Sequence, residues 1–174
     1  MEKIKIISRE PFNRTDKLIL VIHLLVVLTM WISHEQRFLQ TDTLRDFIDV
    51  YFFILPLLLI GLFFKNLRNF NFFIIWLTIG LIQLLTYPEL HDLTGFQFYR
   101  GSAFDGLRSL LPTLLVFQLL RIVFIRTHNQ ELIISIRLFR MTMWEEEENR
   151  NMTWLEVGFS LTIALTAVFS NVYE

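Results

Sequence analysis

The sequence predicts an all-α integral membrane protein: a four-helix antiparallel bundle, an interfacial linker helix and a fifth, separate transmembrane helix. Three observations carry this reading. Of the 174 residues, 53% are hydrophobic and 19% charged, with a mean hydropathy of +0.48; soluble domains run nearer roughly 45–50% apolar with about 25% charged. The apolar residues are gathered into runs, and runs of about 18 residues with few charges are long enough to cross a bilayer. Lysine and arginine concentrate in alternate connections, as five crossings require.

Residues 1–16 form an amino-terminal arm, and Lys3, Lys5, Arg9 and Arg14, with Lys17 just beyond, assign it to the cytoplasm. No small-residue cleavage site follows, so the first helix is expected to be retained. That first span runs from Leu18 to about Ser33 and contains His23. A polar connection, HEQRFLQTDTLRD, leads to the second span, Phe47 to Phe64, with Asp49 at its mouth and Pro56 inside. The missing N–H of Pro56 is expected to kink it.

After the basic turn KNLRN, the third span runs from Phe70 to Tyr87 and is expected to stop before Pro88. The loop to Asp105 is the longest external one, and Ser102 or Asp105 is a candidate cap for the fourth span, which contains Pro112 and reaches Ile125. Beyond THNQ, the segment Glu131 to Trp144 sets Leu132, Ile136, Phe139 and Met143 on one helical stripe, with Arg137 and Arg140 at its flank. It is too short to span and suits an amphipathic helix on the cytoplasmic surface. The acidic run Glu145 to Glu148 reads as a solvated turn, and WLEVGFSLTIALTAVFSNVY as the fifth span. The expected units are therefore 1–16, the bundle 17–127, the linker 128–150 and the fifth helix 151–174. The second turn adds Lys65 and Arg68 to the cytoplasmic face, and the linker adds Arg126, Arg137, Arg140 and Arg150. The amino terminus is thus cytoplasmic, in a cell inner or plasma membrane.

A net charge of −1 gives no basis for a nucleic-acid partner. The absence of cysteine excludes disulfides, thiolate metal sites and a cysteine nucleophile. Neither HExxH, G-x-S-x-G nor a phosphate-binding glycine loop occurs, so no enzymatic activity, cofactor or metal is expected. Consecutive carboxylates at Glu145 to Glu148 point in different directions on a helix and make no calcium site. His23 is read as a hydrogen-bonded interhelical histidine or one facing the interface, because no intramembrane acid completes a proton relay. Glu156 either enters a polar interface in an oligomer or marks the start of the fifth span. Trp31, Trp76, Trp144 and Trp154 are expected as interfacial anchors.

Two stretches, FQLLRIVFIRTHNQEL and AVFSNVYE, together with the order of spans, resemble the front part of six-helix cation channels of the voltage-gated potassium channel superfamily. In that family a four-helix sensor domain joins the pore through an interfacial linker helix. The resemblance implies sensor-like positions at Gln118, Arg121 and Arg126, an acidic partner position at Asp49, lipid contact through Arg137 and Arg140, and a homotetramer. The departures matter equally. The register through Arg121 runs Pro112, Leu115, Gln118, Arg121, Phe124 and so holds one arginine. A single charge moved through the field supplies only about 2.3 kcal/mol per 100 mV. The inner parts of the second and third spans, LLLIGLFF and NFFIIW, lack the carboxylates that pair with such arginines, so Arg121 is expected to snorkel to water, lipid phosphate or backbone carbonyls. No TVGYG-like filter occurs within these residues.

The expected function is the sensor-like and linker portion of a potassium-type cation channel with weak or no voltage sensing. A non-enzymatic subunit or scaffold of a larger membrane complex is the alternative. The bilayer is the expected medium in both.

Overall fold

A computed structural model describes residues 11–36, 41–93, 96–98, 101–134 and 153–172. They form five α-helices: α1 (Arg14–Gln36), α2 (Thr41–Leu67), α3 (Phe70–His91), α4 (Leu110–His128) and α5 (Trp154–Val172). A two-residue ribbon pairs β1 (Gln97–Phe98) with β2 (Gly101–Ser102), and a 3₁₀ turn covers Asp105–Arg108. Four segments are long and apolar enough to cross a membrane: α1, α2, α3 and the 3₁₀ turn continued into α4.

The helix starts follow from local chemistry. Asn13 and Asp16 cap α1 reciprocally: the Asp16 N–H donates to Asn13 Oδ1 at 2.7 Å, and the Asn13 N–H donates to Asp16 Oδ2 at 2.9 Å. Asn69 caps α3 by accepting from the Asn71 N–H. At α5, Thr153 Oγ1 accepts from the Glu156 N–H while Glu156 Oε2 accepts from the Thr153 N–H, closing a capping box. The last turn of α4 ends at Asn129, whose φ of 50° and ψ of 38° are left-handed. Its N–H returns to the Ile125 carbonyl at 2.9 Å, and asparagine tolerates this cap better than other non-glycine residues.

Several expected boundaries move. Helix α2 begins at Thr41, so part of the polar connection is helical, and its non-helical dihedrals fall at Phe63 (φ −120°, ψ 20°) instead of at Pro56. Helix α3 continues through Pro88 to His91. Proline costs that helix one backbone hydrogen bond, but the added turn carries His91 to Asp105, beside the Tyr87–Asp105 hydrogen bond of 3.0 Å. Neither Ser102 nor Asp105 caps α4; Asp105 Oδ2 instead accepts from the Ser102 N–H at 2.9 Å and closes the turn before the 3₁₀ segment.

Helix α2 is the hub, packing on every other helix and on the 3₁₀ turn. Helix α5, expected as a separate span, packs on α4, α2 and the 3₁₀ turn, with Phe124 edge-on to Phe159 at 6.4 Å. Helix α1 is the least covered, and Leu24 (66% exposed) and Trp31 (61%) represent its open apolar surface. Trp76, expected at an interface, is fully buried against Phe72 and His23. Trp154 is 90% exposed.

The loop between α3 and α4 descends into the bundle. A Cβ on Gly106 would lie 2.8 Å from both the carbonyl carbon and the Cβ of Phe52, and one on Gly80 would lie 3.2 Å from the Leu111 nitrogen. Phe52 and Gly80 each stand eleven residues inside their helices, so the start of α4 lies about 16 Å below the neighbouring helix ends at 1.5 Å per residue. Only a residue without a side chain lets the 3₁₀ backbone approach α2 so closely.

Candidate functional site

A buried polar cluster gathers where α1, α3 and α5 begin and α2 and α4 end. Arg121, on the inward face of α4, is 1% exposed. Its Nε donates to Glu131 Oε2 at 2.9 Å and its terminal nitrogen donates to Glu131 Oε1 at 2.6 Å. This is the two-point fork that guanidinium and carboxylate form best.

Glu131 reaches Arg121 because the left-handed cap at Asn129 turns the chain back along the helix it has just left. Residues 131–134 are not helical, and Leu132, Ile133 and Ile134 are buried. The expected linker helix therefore does not begin at Glu131; these four residues form a strap across the end of the bundle. Arg137 and Arg140 lie outside the described residues.

Two further residues hold the strap. Arg68, in the α2–α3 turn, donates to the Leu132 carbonyl at 2.7 Å and approaches Glu131 Oε2 at 3.7 Å. Glu156, fully buried at the start of α5, accepts from the Ile133 N–H at 3.0 Å and from the Thr153 hydroxyl at 3.0 Å. One carboxylate thus joins α4 to the α2–α3 turn through the strap, and a second joins the strap to α5.

Beside this cluster, Asp16 is 2% exposed and accepts from the Asn66 amide at 2.5 Å, tying the start of α1 to the end of α2. Pro11, Asn13, Asp16, Lys65, Asn66 and Asn69 line a shallow polar hollow of about 150 Å³ there.

The other expected positions do not join Arg121. Asp49, in the first half of α2, is half-buried and forms no hydrogen bond or ion pair among the described residues. Gln118 is half-buried, and its carbonyl oxygen has no partner among the described residues. Arg126 is exposed and likewise forms no ion pair among them. His23 is 6% exposed and its Nδ1 lies 2.6 Å from the Tyr51 hydroxyl, the interhelical hydrogen bond expected of it.

At the opposite end Asp105 gathers Tyr87, the Ser102 N–H and, at 3.7 Å, His91 Nε2, while Arg108 lies over the Tyr87 ring at 5.3 Å. His91 closes α3 instead of lying in a loop. Among the described residues no three His, Asp or Glu side chains are grouped to hold a metal ion.

The snorkelling expected of Arg121 is replaced by a partner that lies ten residues onward in the same chain. Glu131 and Arg68 are the functional candidates that sequence reasoning missed. Comparison with known protein families, with curated proteins and with solved structures finds no match. The potassium-channel resemblance therefore rests on its two short stretches and on the order of helices.

Proposed function

We propose that this chain is a multi-pass membrane protein with a cytoplasmic amino terminus, acting as a non-enzymatic helical subunit that braces helices of a larger membrane complex. The apolar surface of α1 to α4 supports the membrane placement, because soluble monomers rarely expose contiguous apolar patches beyond a few hundred Å². The observation that carries the bracing role is the Arg121–Glu131 fork. It fixes the one arginine of the sensor-like register to its own chain, and a buried bidentate pair holds position better than it moves through a field.

The channel reading remains the second proposal, favoured by the physical continuity from α4 through the strap to Glu156 and α5. Any displacement of α4 in that path would pull on α5, as a linker must.

Cross-linking in native membranes followed by mass determination separates the two. A fixed-ratio adduct with one different membrane protein supports the subunit; a ladder ending at four copies supports the channel. Adducts of neither kind defeat both. Single cysteines at Thr15 test orientation, and labelling only from the cytoplasmic side is expected.

A further inference from the structure

Gln118 differs from the other outward polar side chains of the spans. On the open faces of the helices, the hydroxyls of Thr29, Thr78, Thr86, Thr162 and Thr166 each donate to the carbonyl four residues earlier on their own helix. Those groups need nothing from outside. The Gln118 amide has no such route, and its oxygen is covered without a partner. The other mid-span amide, Gln83, is 8% exposed and closed to any outside group.

Depth makes this costly. Gln118 lies thirteen residues after Asp105 and ten before His128, the ends of its span, so at least about 15 Å of helix separates it from either end at 1.5 Å per residue. A side chain as short as glutamine cannot carry its amide to water from there, and hydrocarbon offers no hydrogen bond. Around it Leu115 (50% exposed) and Leu119 (61%) are open and Ile122 is half-buried. Arg121 is turned inward into its fork, and the next charge along the helix, Arg126, lies about two turns away in the last turn.

This face is self-complementary. A primary amide carries an acceptor and two donors, and a half-turn about its last bond, a broad two-fold torsion, brings the covered oxygen outward. Two such amides across a two-fold axis exchange reciprocal N–H···O bonds, so a second copy supplies the polar group required at the depth required. No charge beside Gln118 calls for an opposite charge on a different protein.

We propose that α4 pairs with α4 of a second copy, side by side and parallel, with Gln118 of one against Gln118 of the other and Leu115, Leu119 and Ile122 packed around the amides. The inference rests on the membrane placement proposed above, and it holds whether or not a further protein is braced.

The chain has no cysteine, so Leu115→Cys and Leu119→Cys each supply a single thiol on the pairing face. Leu85→Cys, at a position of α3 that is 69% exposed, is the control. The purified variants are floated with phosphatidylcholine vesicles at low protein density and then oxidised with copper phenanthroline. A disulfide-linked dimer is expected from both α4 positions, severalfold more abundant than from Leu85→Cys. Adding Gln118→Leu removes a polar group from lipid, keeps the helix content measured by circular dichroism, and should cut the dimer severalfold. Equal linking by Leu85→Cys, no dimer from either α4 position, or a yield unchanged by Gln118→Leu overturns the proposal. In native membranes, capture of a different protein by both α4 thiols in place of a self-adduct overturns the second copy as the occupant. Failure to float with the vesicles defeats the membrane placement itself, whereas absence of the dimer in protein that floats defeats the pairing alone.

Discussion

Glu156 and Ile133 are joined by a hydrogen bond from the Ile133 N–H to a carboxylate that also closes the capping box of α5. A helix start and a strap twenty-three residues earlier therefore share one side chain. Glu156→Ala should remove the cap, worth about 1 kcal/mol, and leave a buried N–H unpaired at about 1–3 kcal/mol. Glu156→Gln keeps an acceptor at each place and should cost less. Thermal unfolding in detergent, with equal effects of the two variants as the contrary result, checks this.

The Arg121–Glu131 fork predicts an asymmetric mutant series. Glu131→Ala removes the fork from a buried guanidinium and should destabilise by up to about 3–5 kcal/mol. Replacing both residues with Met and Leu should cost far less, since an apolar pair of similar volume needs no desolvation. Denaturation midpoints for the single and double variants test it, and additive losses would contradict it.

Three glycines in three surroundings order themselves. Gly106→Ala places a methyl group 2.8 Å from Phe52 backbone carbon, and α2 cannot yield there; a loss of about 1–3 kcal/mol is expected. Gly80→Ala meets Leu111 at 3.2 Å and should cost less. Gly158→Ala meets nothing within 4 Å and should raise helix stability by up to about 1 kcal/mol. A ranking of melting temperatures in any other order would refute the packing described.

Tyr51→Phe removes the hydroxyl that meets His23. Interhelical hydrogen bonds inside bilayers average only about 0.6 kcal/mol, so a small loss of stability is expected, measured by the same unfolding assay. A loss beyond about 2 kcal/mol would mean that this pair organises more of the bundle than one hydrogen bond does.

The sequence reveals the helices better than their ends. Apolar runs betray α1 to α4 because their buried and exposed faces alike carry apolar side chains, and no polar alternation competes. Pro88 misleads because the contacts of His91 and Tyr87 with Asp105 outweigh its local preference. The capping boxes Asn13–Asp16 and Thr153–Glu156 are readable as spaced pairs. Glu131 is not, since its meeting with Arg121 depends on one left-handed residue, Asn129. The identity of Asn129 hints at a helix stop, yet nothing local states that the next turn folds backwards.

The close seat of Gly106 against Phe52 also sets an order of assembly. On the membrane reading, the segment before α4 is polar enough to be carried across with the loop, and then returns about 16 Å inward. It has no wall to settle against until α2 and α3 stand side by side. On that reading biogenesis has two stages, with helix insertion first and the descent of the 3₁₀ turn afterwards. A substitution at Gly106 would then leave the 3₁₀ turn unseated against α2, while the apolar helices keep their own sequences unchanged.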